Sequence, residues 1–158
     1  MWGDFLVAAA GSTAALAGLV FVALSINLTH VLKLPGVSGR AAETIILLAG
    51  ALTGTLLALV PDVSPRQLGV LLVVIGALTW GIPTIIQIKA IRDRHYYTVP
   101  VAIWRFVLHQ SATLPFFAAG LSLLGYLHGG LRWFAAAIIL SMIVALFNAW
   151  VLLVEIMR

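Results

Sequence analysis

The sequence predicts an all-α integral membrane protein, folded as a bundle of five transmembrane helices. Of its 158 residues, 63% are hydrophobic and only 9% are charged, whereas about a quarter of the residues in a soluble domain are charged. Five apolar runs are each long enough to cross a hydrocarbon core, which takes about 20 helical residues. None of the runs alternates between polar and apolar residues as a barrel strand does, so helices are the remaining way to satisfy the backbone in lipid.

Turn-forming residues separate these runs, notably Pro35-Gly36, Pro61-Asp62 and Gly129-Gly130. The chain is predicted to form a single membrane domain over 1–158, with loops too short to hold a soluble module. The first run lacks the basic flank and cleavage site of a signal peptide, so we expect it to be retained as a helix. The predicted helices span 5–28, 41–60, 68–88, 102–127 and 131–156.

Lysine and arginine are distributed unequally between the two ends of this bundle. In a soluble protein a net charge of +4 would suggest nucleic acid as a partner, but here the basic residues follow the loop pattern that orients membrane proteins. Arg66 and Arg132 lie at one end, and seven basic residues lie at the other. We therefore expect an inner-membrane protein with its N-terminus outside and its C-terminus in the cytoplasm. The seven are Lys33, Arg40, Lys89, Arg92, Arg94, Arg105 and Arg158.

Most strongly polar membrane residues fall in the same, more basic half of the helices. Polar and ionisable side chains inside a membrane are costly unless they have partners, so their shared depth favours a common network. Arg105 and His109 are four residues apart and therefore share a helix face, with His109 about 6 Å deeper. The candidate polar network comprises Asn27, Glu43, Gln87, Arg105, His109, Asn148 and Glu155.

Two interpretations of these residues remain open. In the first, Glu43 or Glu155 pairs with Arg105 in a buried network or cavity that faces the cytoplasm. In the second, each residue is accommodated separately: Arg105 extends to the interface, Glu43 pairs with Arg40 near a helix N-terminus, and Glu155 lies in water. Gln110 points away from Arg105 and need not share its surroundings.

Small residues and prolines add information about packing. Ala10, Ala14 and Gly18 recur every four positions in the first helix, as do Gly11 and Ala15, and such spacing permits close helix contact. We expect this contact to serve packing within the monomer rather than an oligomer. Pro83, inside the third helix, leaves one backbone carbonyl without its helical donor. We interpret it as an ordinary feature of a membrane helix.

The sequence contains no pattern typical of catalysis or of cofactor binding. It has no cysteine, its four histidines do not show metal-site spacing, and neither a nucleophile elbow nor a phosphate loop is present. We therefore predict a protein that is not an enzyme and that holds no metal or other cofactor.

The run from Gly11 to Leu28, followed by Gly39-Arg-Ala-Ala-Glu43, resembles a group of small uncharacterised bacterial multi-pass membrane proteins. Some members are labelled "modulator of FtsH protease". The resemblance covers mainly the first two helices and returns weakly between Arg105 and Gln110. It implies a bacterial inner-membrane location, and no functional residues can be carried over from it.

Two functions are compatible with these features. The first is an accessory or regulatory membrane protein that binds a membrane-protein partner, or a second copy of itself, through its helix faces. The alternative is a small oligomeric transporter or channel that uses the cytoplasmic-half polar cluster. The other half of the helices carries few polar groups, which counts against a monomeric transporter, but an oligomeric pore could place Thr13, Thr53 and Thr55 along an axis shared between copies.

Overall fold

The computed structural model describes residues 1–33, 36–92 and 99–156. Within these ranges all regular secondary structure is helical, and five of the helices are long and apolar enough to cross a membrane. The predicted all-α bundle with five spanning helices is therefore confirmed, and its apolar surface is that of a multi-pass protein in contact with lipid. The helices are α1 (Trp2–Ile26), α2 (Leu28–Lys33), α3 (Val37–Leu59), α4 (Pro65–Arg92), α5 (Val99–Leu123) and α6 (Leu131–Ile156).

Four of the long helices form a closed ring. Each of α3, α4, α5 and α6 packs on the next in chain order, and α6 packs back on α3. Neighbours in the ring are antiparallel, since Gly54 of α3 faces Leu72 of α4 while Gly39 faces Ile86. Helix α1 lies outside the ring, mainly against α3 and with a small contact to α6. The interior of the ring is thus the place where side chains from four helices can meet.

The two ends of the bundle differ in charge. Helices α1, α4 and α6 finish at the end where α3 and α5 begin, and this end carries Lys33, Lys89 and Arg92. We call it the basic end. The opposite end holds the connections 60–64 and 124–130. Arg94 and Arg158, which also enter the predicted charge difference, lie outside the described residues.

The apolar core fills the ring from the opposite end to its middle. Phe116 and Phe134 are fully buried there and meet edge to face, with ring centroids 6.0 Å apart. Nearer the middle, Leu47 of α3, Ala112 of α5 and Val144 of α6 form a further buried cluster. Polar side chains that enter the ring from the basic end therefore meet an apolar layer at mid-depth.

Two helices end earlier than predicted. In each, local hydrogen bonds form a turn at a point where the apolar run would allow the helix to continue. Helix α1 stops at Ile26 rather than at residue 28, since Asn27 caps it with φ −104° and donates from its side-chain amide to the Ala23 carbonyl, 3.0 Å away. Helix α5 stops at Leu123 rather than at residue 127. Gly125 adopts φ 92° there, and the Tyr126 N–H bonds back to the Leu121 carbonyl at 2.9 Å, as in a Schellman motif.

Two other helices are longer than predicted, since hydropathy marks apolar residues while helical hydrogen bonding continues past them. Helix α3 begins at Val37 instead of residue 41, after Gly36 with φ 84°. Arg40 therefore belongs to a helix rather than a loop, and it is only 4% exposed. Helix α4 extends beyond the predicted 68–88 at both ends. The predicted connection between residues 88 and 102 includes 93–98, which lie outside the described residues.

Candidate functional site

The Glu43 carboxylate is the centre of a polar cluster inside the ring at its basic end. Its Oε1 accepts a hydrogen bond and ion pair from Arg105 Nη2 at 2.8 Å, and its Oε2 accepts a hydrogen bond from Gln87 Nε2 at 3.2 Å. The three residues come from α3, α5 and α4. They are 2%, 8% and 4% exposed, respectively. Both carboxylate oxygens are thus engaged within a protein interior that lipid surrounds.

Helix positions explain why these three groups meet. Glu43 lies six residues after the start of α3 and Arg105 six residues after the start of α5, which places each about 9 Å along its helix. Gln87 lies five residues before the end of the antiparallel α4. All three therefore enter the ring from the basic end to a similar depth.

Pairing is what makes these charges tolerable at this depth. A buried ion pair offsets its loss of hydration only when the geometry is good and the remaining polar atoms also have partners. The planar guanidinium of Arg105 matches the geometry of a carboxylate. The Gln87 amide is a second donor to the Glu43 carboxylate. The cluster therefore holds α3, α4 and α5 in one register, because a slip of α5 would leave both charges unpaired and a slip of α4 would leave Glu43 Oε2 without its second donor.

His109 lies one turn beyond Arg105 on α5 and is 2% exposed. Its imidazole faces the backbone carbonyls of Thr79 and Trp80 on α4. Neither ring nitrogen reaches a partner at hydrogen-bond geometry. His109 thus adjoins the cluster in sequence but belongs to the α4–α5 interface rather than to the Glu43 carboxylate.

Gln110 is separate from the cluster, as its predicted direction suggests. Its Oε1 accepts a hydrogen bond from Trp80 Nε1 at 2.6 Å, on the partly exposed side of the α4–α5 contact. This bond joins the two helices at the exposed, lipid-facing side of their contact.

The remaining candidates are placed differently. Asn27 is not part of the cluster, because its side-chain amide bonds to its own helix. Asn148 is 7% exposed on α6, one turn from Val144 toward the basic end. The side chain of Glu155 lies outside the described residues. In the described part of the chain, direct hydrogen bonds therefore join three of the seven candidates, Glu43, Gln87 and Arg105.

Buried Arg40 and Thr84 were not among the predicted site residues. Arg40 lies just before the predicted helix 41–60, although its spacing of three residues from Glu43 is a signal of a shared helix. Thr84 is 8% exposed, and its hydroxyl has no hydrogen-bond partner. Threonine is common in apolar helices, so nothing in the sequence distinguished it from the other threonines.

In the described part of the chain, apolar side chains separate the polar cluster from the opposite end. The layer formed by Leu47, Ala112 and Val144 lies between it and the opposite end. Thr13 and Thr55 are fully buried within the protomer, whereas Thr53 is exposed. Thr13 and Thr55 therefore do not reach the surface of one protomer, and the oligomeric transporter or channel stays a prediction.

Within the described ranges, no three histidine or acidic side chains lie close enough to hold a metal ion. The arrangement can bind and orient the helices, and it can hold charge at a defined depth. No protein-family model matches the chain, and comparisons with curated proteins and with solved structures find no match. The function is therefore inferred from the geometry alone.

Proposed function

We propose that this chain is an accessory or regulatory protein of the bacterial inner membrane, which binds another membrane helix through the outer face of α1. That helix belongs to a partner protein or to a second copy of the chain. The observation that carries the proposal is the position of α1, which lies outside the ring and buries only one face.

The open face of α1 has the composition used for helix association in lipid. Its buried residues, such as Ala9, Thr13 and Val20, face the bundle. Gly11, Ala15 and Gly18 lie on the other side of the helix and are exposed. Small residues at this spacing let a second backbone approach closely, which is the main source of helix affinity where no water is released.

The same face contradicts the expectation that these small residues pack within the monomer. A side chain added at Gly11 or Gly18 would meet nothing within 4 Å. By contrast, the glycines of the ring, such as Gly50 and Gly120, are already in close contact with neighbouring helices. The use of α1 for association therefore needs no rearrangement of the bundle.

The orientation proposed for this protein places the basic end in the cytoplasm. Lys33, Lys89 and Arg92 lie at this end, and arginine and lysine accumulate on the cytoplasmic side of inner-membrane proteins. The Glu43–Arg105 pair then lies in the cytoplasmic half of the membrane. It stabilises the ring of helices against which α1 packs.

The test is gentle extraction of the tagged protein from its native membrane, followed by native mass spectrometry of what remains bound. The Gly11→Leu and Gly18→Leu variants are expected to lose the bound partner or second copy. Ala77→Leu is the matched control, since it enlarges an exposed small residue on α4. A wild-type chain that is always alone, or glycine variants that keep their partner, would contradict the proposal.

A further inference from the structure

The α4–α5 interface contains several buried polar atoms that have no hydrogen-bond partner. They are both nitrogens of His109, the hydroxyl of Thr84 and Oε1 of Gln87. Thr84 lies one turn after Trp80, and Gln87 lies a turn further along the same face of α4. Trp80 bonds to Gln110 of α5, which shows that this face is directed toward α5. The unpartnered atoms therefore form one row between the two helices rather than separate defects.

Pro83 leaves one backbone carbonyl beside the row without its helical hydrogen-bond donor. It has no backbone N–H, so it cannot donate to the Thr79 carbonyl one turn earlier, as a helical residue normally would. The His109 imidazole faces this carbonyl and that of Trp80. The break in hydrogen bonding thus occurs next to the most deeply placed ionisable group of α5.

A narrow crevice at the basic end reaches the first member of the row, Gln87. It is lined by Gln87, Ala90 and Ile91 of α4 and by Ala102 and Arg105 of α5, and Ile91 at its rim is 48% exposed. Its volume is about 10 Å³, which is close to the space that one water molecule requires. A buried polar group left unpaired costs about 1–3 kcal/mol, so water in this row would remove several such costs together.

We propose that water enters between α4 and α5 from the basic end, bonds to Gln87 and Thr84, and makes His109 a proton-binding site. A hydronium ion in this water transfers one proton to an imidazole nitrogen, its O–H bond breaks as the N–H bond forms, and a neutral water remains. The resulting N–H groups donate to the carbonyl of Thr79 or Trp80 and to the adjacent water. The ligand of the site is thus a proton carried by water.

The charges around His109 make this binding dependent on the rest of the cluster. Arg105, one turn away on α5, opposes a second positive charge, while Glu43 of α3 neutralises Arg105 at 2.8 Å. Arg40 is the other charged residue of α3. Helix α4 from 67 to 88 and α6 from 133 to 154 carry no charged residue. The backbone carbonyls of α4 are therefore the main groups that favour the imidazolium.

Among the described residues, apolar side chains close the site toward the opposite end. Leu47, Ala112 and Val144 close the ring beyond it, and the fully buried Phe116 and Phe134 fill the space toward the opposite end. The proton therefore enters and leaves through the basic end, so the arrangement is a binding site and not a path across the membrane.

The experiment is solid-state NMR of the full chain in lipid, with ¹⁵N-labelled histidine and with His109→Asn used to assign the His109 signals. We expect the His109 nitrogen shifts to change between about pH 4 and about pH 9, which brackets the usual histidine transition. We also expect magnetisation transfer from water to its N–H groups. Shifts that stay constant over this range, or an imidazole without transfer from water, would overturn the proposal.

A second variant tests the route and guards against misfolding. Thr84→Val removes the hydroxyl at nearly constant volume and should abolish or greatly reduce the transfer from water to His109. Thr44→Val is the control, since the Thr44 hydroxyl donates to the Arg40 carbonyl at 2.9 Å within α3. Transfer that is unchanged in Thr84→Val, or reduced equally by both changes, would show that water does not follow this row.

Discussion

At the scale of single residues, the Glu43–Arg105 ion pair joins α3 and α5 in the basic half of the bundle. Both side chains are more than nine-tenths buried, and Gln87 occupies the second carboxylate oxygen. Such a pair adds little net stability compared with two apolar residues of similar volume, but removal of one partner leaves the other charged and buried. The pair therefore specifies which helices meet more than it increases the free energy of unfolding.

We expect Arg105→Ala to lower the free energy of unfolding by about 3–5 kcal/mol, because the Glu43 charge then stays buried without its partner. Thermal unfolding in a mild detergent would measure the change. The matched control is Arg92→Ala, which removes an exposed arginine from the end of α4. Equal melting temperatures for the two variants would mean that the pair is solvated rather than buried.

At the scale of helices, α4 and α5 approach each other closely along a row of glycines. A Cβ built at Gly120 would lie 2.5 Å from Val73 Cγ2 and 2.7 Å from the Gly69 carbonyl oxygen. One at Gly76 would lie 3.1 Å from Phe116 Cβ. In lipid, close packing of this kind replaces the hydrophobic effect as a source of helix affinity. The contact also positions His109 against the α4 backbone.

Gly120→Ala should separate α4 from α5 and destabilise the fold by about 1–3 kcal/mol, a usual cost of overpacking. The backbone carbonyl of Gly69 cannot rotate away as a side chain could. Unfolding in a denaturing detergent series would report the change. Gly81→Ala serves as the comparison, since a Cβ there meets nothing within 4 Å, and a similar loss in both variants would count against close packing.

The start of α4 is specified by a capping box. The Ser64 hydroxyl accepts from the Gln67 N–H at 3.3 Å, and Gln67 Oε1 accepts from the Ser64 N–H at 3.0 Å. Pro65 occupies the first helical position, where no N–H is needed. These bonds set the direction in which α4 leaves the connection from α3.

Ser64→Ala is expected to cost about 0.5–2 kcal/mol through the loss of this cap. The double variant with Gln67→Ala should cost less than the sum of the two single changes, because each residue bonds the other. Additive losses measured by thermal unfolding would mean that the two side chains act independently.

At the scale of the whole molecule, α1 packs on the outside of the ring formed by the other four long helices. The ring is closed by the contact of α6 with α3, so its interior holds both the apolar core and the polar cluster. Among the described residues, α1 is the least buried of the spanning helices. Only 22% of its most apolar 18-residue stretch is buried inside the protein. Under the proposed function, stability and association are therefore carried by different parts of one chain.

The proposed orientation predicts that a reporter fused after Arg158 is active when it requires the cytoplasm and inactive when it requires the periplasm. The physical reason is the excess of lysine and arginine at the basic end, which resists transfer across the membrane. Fusions at the 124–130 connection should show the reverse pattern. The opposite result would show that the orientation proposed for every loop is wrong.

Much of the fold follows from local features of the chain. The length and apolar character of the runs predict five spanning helices, and helical phase together with charge predicts that Glu43 and Arg105 enter from one end. Such local patterns do not determine helix ends, where a backbone turn competes with the apolar run. Gly125 and Asn27 end their helices through such turns.

The sequence by itself determined the class of the protein, the number of spanning helices and the depth of its polar residues, because each depends on the transfer of side chains between water and lipid. Only the tertiary structure decided that Gln87 joins Glu43 and Arg105, that Asn27 does not, and that the small residues of α1 face outward. These outcomes depend on the rotation of each helix against its neighbours. That rotation is set by packing over the whole ring, and no single segment of sequence contains it.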